Sequence, residues 1–324
     1  MDSGMTDLGM NRRARELADA MVEEAGLLRV REKTLTNGAR VIDAGIETEG
    51  GYAAGLAIAE ICMGGLGDVS YTTAPIGGQS WPAILVTNDH PAVSCMASQY
   101  AGWAISVDKF FAMGSGPLRA HARVEKELFE KLGYAEKASA GVLVLEGRVP
   151  PSDAVAAWVA EKARLKPSQI TFVIAPTASI AGGVQISARI LETGLHKMET
   201  LGFDVRRVVS GFGVAPIAPV AKNDLRAIGC TNDCILYGGQ AHYTVRAGDD
   251  ELAELAAKVP ASASRDYGTP FYDIFKRYEG DFYKIDPLLF SPAEVWLTST
   301  ESGRTFHAGR LNPEVLEASL HPKP

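Results

Sequence analysis

Twice in this chain an apolar run ends in a turn of small residues that opens onto a helical pattern. Phe110-Phe111-Ala112-Met113 leads into Gly114-Ser115-Gly116-Pro117 and then a charged helical stretch over residues 118–132. Ile170-Thr171-Phe172-Val173-Ile174 leads into Pro176-Thr177-Ala178-Ser179 and Gly182-Gly183, followed by Val184, Ala188, Leu191 and Leu195 at helical spacing. The apolar runs are rich in β-formers, and the small residues supply the backbone freedom a tight turn needs. The exits echo each other too: Leu132-Gly133-Tyr134 precedes the apolar run 141–145, and Leu201-Gly202-Phe203 precedes 205–209. Strand, turn and helix repeated in this order imply two α/β units of mixed α+β character, since each unit needs a sheet buried under helices. Charge, glycine and two prolines interrupt the pattern at residues 146–152, so the seam is expected there, giving units 1–148 and 149–324, with a discontinuous division left open.

The second turn and helix carry the first chemical candidate. Arg189 and Glu192 lie three residues apart in the helical pattern, so guanidinium and carboxylate share one face. An Arg-x-x-Glu pair is ordinarily a surface ion pair worth under ~1 kcal/mol. A helix opened by glycines and flanked by small residues also suits a pocket, where the same pair can do chemistry. The Gly114-Ser115-Gly116 turn before a helix is a place where backbone N–H groups can face an anion. It lacks the third glycine of the dinucleotide fingerprint and reads equally as a tight turn without a ligand. His90, in Asn88-Asp89-His90-Pro91, has only Asp89 at ligand spacing, which favours a turn or a substrate contact over a metal.

With 324 residues, 46% hydrophobic and 22% charged, the chain can form two domains and a sizeable core. Its net charge of −7, with scattered basic residues, excludes the basic stripe of a nucleic-acid surface. Cys62, Cys95, Cys230 and Cys234 have neither a disulfide framework nor a second pair at zinc-ligand distance, so buried free thiols of a reducing cytosol are expected. No signal peptide or membrane-length apolar run is visible, so a cytoplasmic protein is expected.

Further expectations are a frayed leader over residues 1–10 and a helix over 12–28. A hairpin is expected around Thr36-Asn37-Gly38-Ala39, and a small-residue helix over 52–63 that can approach its neighbours closely. Residues 81–87 read as a strand and 92–102 as a helix begun by Pro91. Residues 211–220 are too Gly- and Pro-rich for helix, and 224–239 read as an Asn232-Asp233 turn with a short strand. Helices are expected over 249–259 and 271–278, a closing hairpin around Glu301-Ser302-Gly303, packing by Tyr283, and a loose tail after His321.

Several blocks in this order resemble the methenyltetrahydromethanopterin cyclohydrolase family: GGYAAGLAIAEICMGG (50–65), TNDHPAVS (87–94), Gly102-Trp103, FAMGSGP (111–117), the stretch 175–194, APIAPV (215–220), TNDCILYGG (231–239), DYGTPF (266–271) and DFYKIDP (281–287). The resemblance runs from the first helix to about Gly309; the first ten residues, the tail and residues 210–213 depart from the pattern. It implies two α/β units with mixed sheets facing each other across a cleft, a homotrimer, and no metal or prosthetic group. The substrate implied is a one-carbon carrier with a pterin head and an anionic tail. The reaction implied interconverts its N5,N10-methenyl form plus water and its N5-formyl form. Glu192 would be the general acid/base and Arg189 the group that tunes it. For the tail, Gly114, Ser115, Gly116, Thr177 and Ser179 are candidates, and for the ring Asn88, Asp89, Gln185 and Asp233. The alternatives are another hydrolase on a phosphorylated, cyclic amidine-like substrate, or a protein that binds a pterin without turnover.

Overall fold

The computed structural model describes residues 7–280 and 284–321. In chain order the elements are α1 (Met10–Glu23), α2 (Ala25–Leu28), β1 (Arg31–Thr34), β2 (Arg40–Asp43), α3 (Tyr52–Cys62), β3 (Gly67–Ile76), β4 (Gln79–Asn88), a π-helix (Ala92–Gln99), β5 (Trp103–Val107), β6 (Phe110–Ser115), α4 (Leu118–Ala122), α5 (Lys126–Leu132) and β7 (Gly141–Glu146). Then follow α6 (Asp153–Ala163), β8 (Ile170–Ala175), α7 (Ile180–Ser187), α8 (Ile190–Thr200), β9 (Val208–Pro216), α9 (Asp224–Gly238), β10 (Gln240–Val245), α10 (Asp249–Lys258), α11 (Phe271–Arg277), β11 (Glu294–Ser299), β12 (Thr305–Gly309) and α12 (Pro313–Leu320). The mixed α/β class inferred from the strand–turn–helix echoes is the one observed, with two mixed six-stranded sheets.

The chain forms two compact units, residues 1–67 with 93–185, and residues 68–92 with 186–324. Residues 146–152, where the sequence breaks its pattern, join β7 to α6 within the first unit.

In the first unit the sheet order is β1-β2-β8-β7-β6-β5, with β2, β8 and β7 parallel and antiparallel pairs at each side. All six residues of β8 are buried, which explains its unbroken apolar run. Its alternate side chains serve two cores. Val173 and Ala175 pack with α1 and α3, while Ile170, Phe172 and Ile174 pack with Val155 and Val159 of α6. Gly55 on α3 is where a Cβ would lie 2.5 Å from the Cβ of Val184 on α7, so the small-residue helix does make the close approach its composition allows.

In the second unit the order is β12-β11-β10-β9-β4-β3. β10 and β11 are parallel, while β4–β9, β9–β10 and β11–β12 are antiparallel. The closing hairpin is β11 and β12. Tyr237 of α9, Phe271 and Ile274 of α11, and Leu316 and Leu320 of α12 build a core with Ala74, Ile76, Trp81 and Ala83 of β3 and β4.

Five expectations give way to different local structure. Residues 224–238 form one helix, not a turn and strand. The Asn223 side chain caps its first turn, accepting from Arg226 N–H at 3.0 Å. The Thr231 hydroxyl and the Asn232 amide then bond back to Ala227 and Ile228 carbonyls, which lets polar residues sit inside a helix. The stretch 118–132 is broken at Arg123, which is left-handed at φ 49°. Residues 92–99 are wound as a π-helix, and residues 205–207 form a 3-10 turn from which β9 starts at Val208. The pattern after Gly183 is two helices, α7 and α8, separated at Ala188-Arg189. The echoed exits hold: Gly133 and Gly202 are both left-handed after their helices, φ 63° and 86°, and Tyr134 and Phe203 behind them are buried. Residues 1–6 of the leader, Tyr283 and residues 322–324 of the tail lie outside the described residues.

Candidate active site

The break between α7 and α8 makes Arg189 the N-terminal cap of α8 and puts Glu192 in its first turn. Their three-residue spacing survives, with Arg189 Nη1 4.0 Å from Glu192 Oε2. Arg189 is 9% and Glu192 5% exposed, which rules out a solvated surface pair. The guanidinium and the N-terminal end of α8 both favour a negative charge at this position. The loop is held by backbone bonds, Arg189 N–H to Ile186 C=O and Thr193 N–H to Arg189 C=O, both 2.9 Å. Ser187 donates to Pro216 C=O at 2.8 Å, tying the end of α7 to β9. Ile190 then packs over Gly213 and Gly239, where added Cβ atoms would lie 3.0 and 2.6 Å from its side chain. A charged pair at the mouth of a helix that is clamped to a sheet is an arrangement suited to proton transfer at a fixed place.

Asn88 and Asp89 end β4 in the same unit. Asn88 is buried and accepts His90 N–H at 2.8 Å, closing the turn that stops the strand. Asp89 is exposed and accepts the Ser210 hydroxyl at 2.6 Å. Asp233 is fully buried in α9, and both its oxygens accept Phe271 N–H at the start of α11. Burial pushes its carboxyl up to about 7; the Ser319 hydroxyl and Phe271 N–H act against that shift and the Asp273 charge adds to it. Its contacts are those of a cap joining α9 to α11.

In the first unit, Thr177, Ser179 and Gln185 share the turn and helix that follow β8. Ser179 donates to Pro176 C=O at 2.7 Å and accepts Gly182 N–H at 3.0 Å, so its hydroxyl opens α7. Gly182 is obligatory, because a Cβ would fall 2.0 Å from the Pro176 carbonyl oxygen. Gln185 is 3% exposed. The Thr177 hydroxyl donates to the Glu146 carboxylate. Glu146 ends β7, directly beside Ala175 at the end of the parallel β8. The carboxyl ends of parallel strands are where open sheets bind ligands, which makes Glu146 a candidate that motif reading missed. Its one signal was an acid ending an apolar run before Gly147. Gly114 lies inside β6, between Trp103 and Leu145. The Ser115 hydroxyl is buried, 3.5 Å from Cys62 Sγ, and Gly116 N–H donates to Ser98 C=O at 2.8 Å. The Gly-Ser-Gly turn thus spends a principal donor on its own fold, and the helix after it is only five residues long. The structure brings Arg189 to Glu192, Asn88 to Asp89, and Thr177 and Ser179 to one turn; Asp233 and the Gly-Ser-Gly turn bond elsewhere.

Among the described residues no group of three His, Cys, Asp or Glu side chains could hold a metal ion, and no helix is long and apolar enough to cross a membrane. None of the four cysteines forms a disulfide, and burial pushes the thiols of Cys230 and Cys234 up, Cys234 well up.

Known proteins bear on this arrangement. A family model described as Cyclohydrolase (MCH) matches residues 9–320. The chain is 46% identical over 316 residues to methenyltetrahydromethanopterin cyclohydrolase of Methanosarcina barkeri, covering 97% of this chain and 98% of the relative. It is 43% identical over 314 residues to the protein of that name from Methanococcoides burtonii, covering 97% and 98%. It is 49% identical over 316 residues to that from Methylobacillus flagellatus, covering 96% and 95%. The match spans both units, and so the residues of every candidate site, and on it the chain belongs to the cyclohydrolase (MCH) family.

Proposed function

We propose that the protein interconverts N5,N10-methenyl-tetrahydromethanopterin plus water and N5-formyl-tetrahydromethanopterin. The observation that carries this reading is identity of 43–49% along nearly the whole chain to proteins named for that reaction. The methenyl bridge is an amidinium-like cation. Water adds to its carbon and loses a proton, leaving a hydroxyl; the C–N10 bond then breaks as that hydroxyl loses its own proton to become the formyl carbonyl, N10 takes one proton, and the formyl group stays on N5. One proton is released overall. In this reading Glu192 accepts the proton from the attacking water and returns one to N10, a role worth typically ~10²–10⁴-fold in rate. Its negative charge also stabilises the cationic bridge, and it does so better away from bulk water. Arg189, 4.0 Å away on the same face of the helix, orients and tunes Glu192.

The Thr177/Ser179 turn at the start of α7 is the candidate contact for the anionic tail, and Asn88, Asp89 and Gln185 for the ring. Asp233 and the Gly114-Ser115-Gly116 turn, occupied by bonds to their own scaffold, are assigned to structure in this reading. A carrier used as substrate without a prosthetic group, a homotrimer and a cytoplasmic setting belong to the same proposal and rest on the family resemblance; light scattering checks the assembly.

The deciding experiment is spectrophotometric assay with methenyl-tetrahydromethanopterin. Turnover by the wild type, lost in Glu192→Gln while the carrier still binds, supports the reading. Wild-type binding without turnover indicates a sequestering protein, and turnover unchanged in Glu192→Gln removes that side chain from the mechanism.

A further inference from the structure

We infer that Tyr243 is a positioning residue for Glu192, acting through the peptide that joins Leu191 to Glu192. This rests on the proposal that Glu192 is the acid–base group. Tyr243 sits in β10, between Gly211 of β9 and Leu297 of β11. It is 1% exposed, and its hydroxyl donates to Leu191 C=O at 2.9 Å. That carbonyl belongs to the same rigid peptide plane as the Glu192 nitrogen. The sheet therefore holds the backbone at the one link from which the carboxylate projects.

Two glycines make room for this contact. A Cβ on Gly194, one turn of α8 further on from Leu191, would fall 2.1 Å from the Tyr243 hydroxyl oxygen. A Cβ on Gly211 would lie 3.3 Å from the Tyr243 ring and 3.4 Å from Leu191 Cδ2. Any larger residue at 194 would push the helix off the hydroxyl. The contact serves orientation more than cohesion: a carbonyl has two lone pairs, so the hydroxyl adds a bond to a helix without replacing one. A phenyl ring in the same place fills the same space and fixes nothing. Reacting groups tolerate little misplacement, with about 1 Å costing up to ~10²-fold.

The test is Tyr243→Phe assayed alone and combined with Glu192→Gln, with carrier and assay as for the function itself. The expected result is a kcat lowered roughly 10-fold with KM within about twofold of wild type. Adding Tyr243→Phe to Glu192→Gln should leave the residual rate unchanged, because the carboxylate it positions is gone. Where Glu192→Gln has no measurable rate, carrier affinity is the readout: Tyr243→Phe should bind the carrier as the wild type does, and weakened binding overturns the inference. Tyr237→Phe, which removes another buried hydroxyl in the same unit, one that donates to Thr269 C=O at 2.7 Å, is the control expected to keep wild-type kcat. Wild-type kcat in Tyr243→Phe beside an inactive Glu192→Gln overturns this inference and spares the role of Glu192. An equal loss in both backgrounds overturns it as well, since the effect would then belong to the fold. Wild-type turnover in Glu192→Gln removes the role of Glu192 and this inference with it.

Discussion

Asp233 accepts the backbone N–H of Phe271 with both carboxylate oxygens, at 2.9 and 3.1 Å, and so fastens the middle of α9 to the first residue of α11. The bond is made in a fully buried place, and desolvation raises the carboxyl from 3.8 to about 7. A group whose folded-state value lies above its unfolded one contributes stability in full below the unfolded value. It loses that stability as pH rises through the folded value. Between about pH 4 and pH 7 the wild type should therefore lose stability relative to Asp233→Asn, which keeps an acceptor oxygen and cannot ionise. Urea midpoints for the two proteins at several pH values check this, and parallel curves would show that Asp233 is ionised at all of them.

Gly55 and Gly26 predict opposite outcomes for the same substitution. A Cβ on Gly55 would meet Val184 Cβ at 2.5 Å and Cγ1 at 2.8 Å, at the crossing of α3 and α7. Neither atom is the free end of a flexible side chain, so Gly55→Ala should destabilise by ~1–3 kcal/mol. Gly26 lies in α2 with nothing within 4 Å, and Gly26→Ala should instead add ~0.5–1 kcal/mol through helix propensity. Chemical denaturation of the two variants measures the difference in sign.

These contrasts bear on what the sequence makes legible. In the first sheet β7 and β8 are legible because burial on both faces demands unbroken apolar runs, whereas the exposed β1 and the alternating β5 carry no such run, and Arg189 with Glu192 stand out because helical spacing is a local property. The α9 error has a physical cause. Thr231, Asn232 and Asp233 carry groups that usually compete with helical hydrogen bonds, and here two satisfy helix carbonyls while the third caps another helix 38 residues on. Glu146 and Tyr243 carry no motif; their partners, Thr177 and Leu191, lie 31 and 52 residues away and become neighbours through the pairing of β7 with β8 in the first case and the packing of α8 on β10 in the second. The crossings of the chain at 67/68, 92/93 and 185/186 leave no composition shift, because each falls at an element boundary or inside a helix.

Lys197 lies on α8 beyond Glu192, 1% exposed, with its ammonium donating to Leu288 C=O. Burial lowers it from 10.5 to about 8, with the Asp286 charge pulling the other way. Between those values the unfolded chain binds more protons than the folded one, so stability rises with pH from about 8 to about 10. In Lys197→Met that rise should vanish, because the side chain fills the space without a charge to desolvate. Thermal midpoints of both proteins across this range read the effect, and an identical slope would place the ammonium in a better-solvated setting.

Arg189 gives the sharpest kinetic prediction. Its guanidinium lies 4.0 Å from Glu192 and both groups are buried, so Arg189→Met removes the neighbour that orients the carboxylate. A proton-transfer group held out of place costs rate more than binding. In Arg189→Met kcat should therefore fall by roughly 10- to 100-fold with KM little changed, the pattern of an interaction realised in the transition state. Arg189→Lys keeps the charge as a flexible point and should lie between Met and wild type. Steady-state kinetics on the three proteins separates this from a binding role, in which KM would rise while kcat stayed constant.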